Sequence, residues 1–287
     1  MKRIVLNVLA VLFILMNSNI AMAHDPVFSV GPHVLFKGGI ELHGNVTQNR
    51  NGDSKESAQA FAMKYGITGD WVAGFELPYK QVEFNNEQFN GIGDIALSTK
   101  YRFWRKDSLA VQESAALLLK VKLDSGDSKV TPSAVDSLVG FAYGFESIHW
   151  YRWASVRHSF NGGVSQANTR IERGNKTFVD IVIGYRATLN GYRDPDMVYM
   201  LELNSEFSQR NSVNGIQVSN SGGEQWFLSP GFMWTLRNMA VKGGVQVPIY
   251  TNLYQSDYLT TQINPLSHTH CFNPVHITDK AIPSIAA

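Results

Sequence analysis

GIGDIALSTKYRFW, residues Gly91 to Trp104, alternates strictly from Asp94 onward. Ile95, Leu97, Thr99, Tyr101 and Phe103 fall on one face, and Asp94, Ala96, Ser98, Lys100 and Arg102 on the other. A period of two is an extended strand, because successive side chains point to opposite sides. One face is apolar and ends in aromatics, while the other carries both signs of charge. A soluble sandwich would bury the first face against a second sheet. A membrane barrel would turn it to lipid and keep the charges in a wet lumen.

The rest of the chain repeats this pattern. Strands are expected at about Val34–Val46, Ala58–Ile67, Trp71–Phe84, Leu109–Leu123, Val135–Phe145, His149–Phe160, Thr177–Leu189, Asp196–Ser208, Glu224–Trp234 and Met239–Tyr250, with a last one beginning near Asp257. With the opening strand this gives about 12, an even number, as bacterial barrels require. In His149–Phe160 the pattern fails: Trp150, Tyr151 and Trp153 occupy both faces, and the register stays open. Glu113 is a charge on an outward face, tolerable near the membrane boundary. Pro78 costs its strand one ladder hydrogen bond and predicts a bulge or bend there.

Loop lengths alternate. Thr68–Asp70, Arg105–Ser108, Glu146–Ile148, Asn190–Pro195 and Leu236–Asn238 are short, whereas Asn49–Glu56, Asp124–Ser133, Asn161–Asn175 and Gln209–Gly223 are long and polar. Outer-membrane barrels have short periplasmic turns and longer extracellular loops. Tyr65, Trp71, Tyr101, Phe103, Phe145, Tyr185 and Trp234 lie near the short turns, which predicts an aromatic girdle at the periplasmic interface. The fold expected is an all-β, antiparallel transmembrane β-barrel. Twelve strands exceed the eight whose side chains can fill an interior, so a lumen is expected.

The N-terminal residues read as a secretory signal peptide. Lys2 and Arg3 are followed by the apolar run Ile4–Leu15, and Ala21-Met22-Ala23 is a small-x-small cleavage site. The expected organisation is a signal peptide at 1–23, an extended lead-in at 24–33, the barrel at 34–272 and a C-terminal tail at 273–287. No later apolar run approaches the roughly 20 residues that a spanning helix needs. Without Lys2 and Arg3 the 25 basic residues become 23, against 24 acidic ones. This near-neutral balance gives no support for nucleic-acid binding. The single cysteine, Cys271, excludes an intramolecular disulfide framework.

Four segments resemble a known family of outer-membrane proteins grouped under a meta-pathway of phenol degradation (the MetA-pathway-like barrels). They are His24-Asp25-Pro26-Val27-Phe28 with Gly31-Pro32-His33; Gly91-Ile92-Gly93-Asp94 entering a strand that ends Lys100-Tyr101; Leu228-Ser229-Pro230-Gly231; and Gly244-Val245-Gln246-Val247-Pro248. The resemblance implies an outer-membrane channel or transporter of a Gram-negative bacterium that passes small solutes such as aromatic compounds. It brings no catalytic residues. Such proteins end in a strand closing with an aromatic residue that the barrel-insertion machinery reads. This chain ends Ile285-Ala286-Ala287, and Phe272 is the candidate for that aromatic end.

The inward charges are Glu41, Lys64, Glu76, Lys80, Asp94, Lys100, Arg102, Lys120, Lys122, Asp180, Arg186, Glu202, Glu206 and Lys242. They either line a polar path and tune its selectivity, or cross-pair into salt bridges that stiffen a plugged barrel. Lys100, Arg102, Lys120 and Lys122 on neighbouring strands form a candidate basic stripe. His268, His270, Cys271 and His276 have the ligand chemistry for zinc or copper, weighed against an ordinary tail. His24 with His33 is a weaker copper pair. No cofactor is expected.

An outer-membrane lipid-modifying enzyme would need a nucleophile, base and orienter together. His158-Ser159 is an adjacent pair, but its members point to opposite faces, and no Gly-x-Ser-x-Gly elbow occurs. The expectation is therefore not an enzyme, with a passive channel ahead of a closed structural or receptor barrel. The partners expected are outer-membrane lipid, a small-molecule solute and the insertion machinery.

Overall fold

The computed structural model describes residues 25–51, 54–84, 87–132, 134–166, 169–191, 194–236, 239–254 and 274–278. The wall strands are β1 (Ile40–Asn51), β2 (Ser54–Gly66), β3 (Trp71–Phe84), β4 in two segments (Glu87–Ile92 and Ala96–Ser108), β5 (Val111–Lys122) and β6 (Asp136–Ser147). They continue as β7 (Trp150–Phe160), β8 (Lys176–Arg186), β9 (Asp196–Ser208), β10 (Gly223–Leu236), β11 in two segments (Met239–Gly244 and Val247–Leu253) and β12 (Pro274–Thr278). Each of β1 to β10 pairs antiparallel with the next. The short β12 pairs with β11 on one side and with β1 on the other, so the ladder returns to its start. This is an up-and-down antiparallel transmembrane β-barrel. Among the described residues no helix is long and apolar enough to cross a membrane.

The period of two becomes inside and outside. Leu117 is 53% exposed and its neighbour Ala116 1%; Ile181 is 52% exposed and Val182 1%. Phe61, Leu97, Tyr199 and Ile249 are likewise exposed. An apolar surface this extensive is covered by lipid, not water. Tyr65, Trp71, Tyr101, Phe103 and Tyr185 stand exposed beside the short turns, as the girdle requires.

Several expectations change. The first strand begins at Ile40, not Val34, because Gly38 (φ 79°) turns the chain and donates its N–H to the Gly66 carbonyl at 2.8 Å. Residues ahead of it run inside the barrel, where Leu35 is fully buried against Val72. Asn49–Glu56, expected as a loop, is mostly strand, with pairing continuing to Asn51↔Ser54, and the next hairpin likewise pairs as far as Phe84↔Glu87. Polar residues there mark hairpins that rise into water, and polarity alone does not break a ladder. Arg105–Ser108 is also strand, and Leu109-Ala110 makes the turn with Ala110 at φ 58°.

The irregularity expected at Pro78 falls on its partner. Glu76 faces Ala96 and Tyr79 faces Ile92, so two residues of β3 oppose three of β4. Without an N–H on Pro78 to hold it, the partner strand bulges at Gly93–Ile95, where Asp94 faces inward.

The open register of β7 resolves with Tyr151, Trp153 and Ser155 buried inside and Trp150, Arg152, Ala154 and Val156 exposed outside. Aromatics on both faces arise because the lumen at this level is packed, not wet. The two longest outer loops pair with each other. Gly163–Gln166, Thr169–Glu172, Ser212–Val213 and Ile216–Gln217 form a separate four-stranded sheet above the barrel. The sequence reading ends the barrel at Phe272; β12 begins two residues beyond it.

Candidate functional site

The lumen holds the candidate site, in two layers. Towards the short-turn end, residues 25–39 stand inside the barrel and are no part of its wall. Asp25 anchors them. Its carboxylate accepts from Lys100 Nζ at 2.7 Å and from Lys64 Nζ at 3.4 Å, and its carbonyl accepts from Lys242 Nζ at 2.6 Å. Lys100 also donates to the Gly31 carbonyl at 2.9 Å, and Gly31 N–H donates back to Asp25 at 3.0 Å.

A second anchor comes from β9. Glu202 is fully buried and accepts the N–H groups of Val27 (2.7 Å), Phe28 (3.2 Å) and Ser29 (3.0 Å), together with the Ser29 hydroxyl. Three successive backbone donors aimed at one carboxylate form an anion-binding concavity. Asn204 donates to Ser29 Oγ at 3.0 Å and to Asp180 at 2.9 Å. Asp180 also accepts from Ser155 and from Arg157, both at 2.8 Å. Between these polar anchors, Val27 and Phe28 pack against Tyr151, Trp153, Val182, Val198, Met200 and Met233. His33 contacts Glu146, which also takes the Trp153 indole N–H at 2.6 Å.

Glycines make the room. A Cβ at Gly144 would lie 2.7 Å from Pro32 Cγ and 2.6 Å from Trp153 Cδ1, and one at Gly244 would lie 2.8 Å from Phe28 Cε2. Gly144→Val is therefore expected to push the segment off its seat. Larger single-channel conductance in planar bilayers, with the barrel's heat-sensitive gel mobility intact, would report this.

Burial pushes the Asp25 carboxyl up, but Lys100, Lys64 and Lys242 outweigh it and hold it well below the usual carboxylate range. A value lowered by folding contributes fully above the unfolded value of about 4, and the contribution is lost as pH falls further. Conductance is therefore expected to stay flat from about pH 7 to about pH 5 and to rise only below about pH 4. A rise already complete at pH 6 would contradict this anchor.

Towards the outer end lies a cavity of about 280 Å³. Ala58, Ala60, Pro78, Ala96 and Pro132 give it an apolar lining, and Glu56, Glu76, Lys80, Asp94, Lys120 and Lys122 a charged one. The charges are paired: Lys80–Glu56 at 2.9 Å, Lys120–Glu76 at 2.8 Å, and Lys122 with Asp94 at 3.2 Å and Asp136 at 2.7 Å. Asp94 also accepts Gly126 N–H (2.9 Å), Ser125 N–H (3.2 Å) and the Thr131 hydroxyl (3.2 Å), folding the outer loop after β5 onto the cavity.

The expected inward charges thus fall into groups. Glu41, Lys64, Lys100, Glu202 and Lys242 surround the N-terminal segment, and Glu41 also contacts His43. Glu76, Lys80, Asp94, Lys120 and Lys122 line the outer cavity. Asp180 belongs to the polar network, and Glu206 pairs with Lys176 at 2.6 Å. Arg102 with Asp70 (2.7 Å) and Arg186 with Asp196 (2.9 Å) close the short-turn end. The basic stripe does not exist as free charge, since each of Lys100, Arg102, Lys120 and Lys122 meets an acid. His268, His270 and Cys271 lie outside the described residues, as does His24. His276 sits on β12 opposite Asn45 and Lys242.

Sequence reasoning missed Asp25, Glu56, Asp136 and Arg157. Asp25 sits beside a proline in a lead-in that carries no periodicity, and Arg157 was hidden by the open register of β7.

These features define a transmembrane β-barrel whose lumen is partly filled by its own N-terminal segment. The model of the family described as "Putative MetA-pathway of phenol degradation" matches residues 73–259, and the chain belongs to that family. In fold it is similar to the crystal structure of an outer membrane channel from Pseudomonas putida F1. The TM-score is 0.58 at 12% identity, over 85% of this chain and 96% of that one. No curated protein matches the chain.

Proposed function

We propose that this protein is an outer-membrane channel through which small solutes, aromatic compounds among them, pass passively, and that residues 25–39 set the width of the path. The observation that carries this reading is the lumen itself. It contains a segment held by side-chain anchors and not by the wall's ladder, with a lined cavity above it. The family's description supports aromatic solutes, and the channel named for the similar structure supports passage. The mixed charges of the cavity favour neither anions nor cations strongly, and no catalytic group is assigned. The test is stepwise conductance in planar bilayers with uptake of phenol by liposomes. An inserted barrel that passes neither ions nor phenol would overturn the reading.

The start of the segment bears on export. Asp25 is already inside the lumen, so an uncleaved leader would have to leave from there. Cleavage after Ala23 is expected, and the mass of the protein purified from membranes checks it. A second reading, a closed barrel that binds a partner outside, is favoured by the paired outer loops and by Ile216, 75% exposed on their sheet. Surface binding that survives blockage of the lumen would support that reading.

A further inference from the structure

We propose that the outward face of β7 around Arg152 seats the phosphate of a phospholipid in the leaflet at the short-turn end of the barrel. The inference rests on the membrane barrel and not on channel activity.

Arg152 points away from the lumen, between Trp150 and Ala154 on the same face. It stands opposite Phe145 of β6 and Ile183 of β8. Its guanidinium carbon lies 5.4 Å from the centre of the Phe145 ring. Trp150 and Tyr185, with ring centres 4.8 Å apart, form the part of the aromatic girdle next to it. Trp150 begins the strand, so Arg152 lies two residues, about 6–7 Å along the strand, further towards the hydrocarbon. The cost of a lipid-facing cation rises with depth, so one set inward of the girdle gains from an anionic partner.

Among the described residues, the nearby carboxylates are all engaged elsewhere. Glu113, on the far side of Phe145 in the same outward row, takes the Tyr143 hydroxyl at 2.6 Å and lies opposite Lys106. Glu146 faces the lumen, where it meets His33 and the Trp153 indole. Asp196 is held by Arg186 at 2.9 Å. Among the described residues, no carboxylate lies within ion-pair distance of Arg152.

A phospholipid phosphate fits the vacancy in charge, depth and geometry. A guanidinium presents two parallel N–H donors to two phosphate oxygens. The Phe145 ring fixes the guanidinium from below, and the exposed Trp150 and Tyr185 rings offer an amphipathic edge for the glycerol region. Lys106, exposed at the end of the same row, adds a second, weaker cation. The short turns face the periplasm, so the leaflet concerned is the phospholipid leaflet.

The test is native mass spectrometry of the full-length protein, purified and delipidated in a phosphate-free maltoside detergent. It is titrated with dioleoylphosphatidylglycerol and, separately, with a diglucosyl diacylglycerol of the same chains. The wild type is expected to retain one phosphatidylglycerol and little of the glycolipid. Arg152→Gln is expected to weaken that retention about ten-fold, as loss of a charge-assisted pair does. Arg152→Lys, which keeps the charge and loses the fork, should fall between them. Lys106→Gln should have the smaller effect. Heat-sensitive gel mobility shows that each variant is folded, and Arg152→Lys carries the test if Arg152→Gln is not. Equal retention by Arg152→Gln and the wild type, or equal retention of the two lipids by the wild type, overturns the proposal.

Discussion

Deleting residues 25–32 is expected to raise single-channel conductance several-fold and to speed phenol uptake into liposomes, with the barrel still folded. The segment fills the lumen between Lys64, Lys100 and Lys242 on one side and Glu202 and Asn204 on the other. None of the wall's ladder pairs involves it. Its removal takes no strand from the barrel and clears the part of the lumen that residues 25–32 occupy. It also leaves three lysines without Asp25, so the cleared lumen should pass anions more readily than the native one. Unchanged conductance with unchanged ion preference in the folded deletion variant would mean that solutes do not pass this segment.

Glu202→Ala is expected to have the largest effect of any single substitution in the lumen. The carboxylate gathers the N–H groups of Val27, Phe28 and Ser29 as well as the Ser29 hydroxyl. Losing the acceptor strands those donors in a dry site, and a buried donor left unsatisfied costs about 1–3 kcal/mol. At about 1.4 kcal/mol per factor of ten, a loss of about 3 kcal/mol shifts the docked segment towards release by roughly a hundred-fold. The variant should flicker between the native conductance and that of the deletion variant. Glu202→Gln keeps an acceptor oxygen and should flicker less. If Glu202→Ala gives a steady native trace, the segment is held by Asp25 and the Val27–Phe28 packing alone.

The wall was legible in the sequence because a lipid-facing strand has only one way to be amphipathic. Leu117, Leu119 and Val121 set against Leu118, Lys120 and Lys122 fix both period and face. What fills the lumen was not legible. Residues 25–39 have no period, since a segment anchored by single side chains obeys no repeat. Their prolines read as an extended lead-in, and the place of that lead-in is set by Asp25, Lys100 and Glu202 across long separations in sequence. The inward charges were found as a set, yet their pairing depends on register and on bulges. Asp94, for one, meets the outer loop beside the bulge of β4 opposite Pro78. The register of β7 was hidden because Tyr151 and Trp153 pack on Val27 and Phe28, so the lumen there is as apolar as the lipid side.

The proposal that the N-terminal segment narrows the path is tested most directly by a reversible tether that holds the segment in place. A Cβ at Gly231 would lie 3.1 Å from Val27 Cγ2, so Val27→Cys with Gly231→Cys, in a Cys271→Ser background, can join the segment to β10. Phenol uptake by liposomes holding this protein would be measured after oxidation and again after reduction. Uptake is expected to be slower while the bridge is closed and to recover when it is opened. Equal uptake in both states, with the bridge verified by mass, would contradict the proposal.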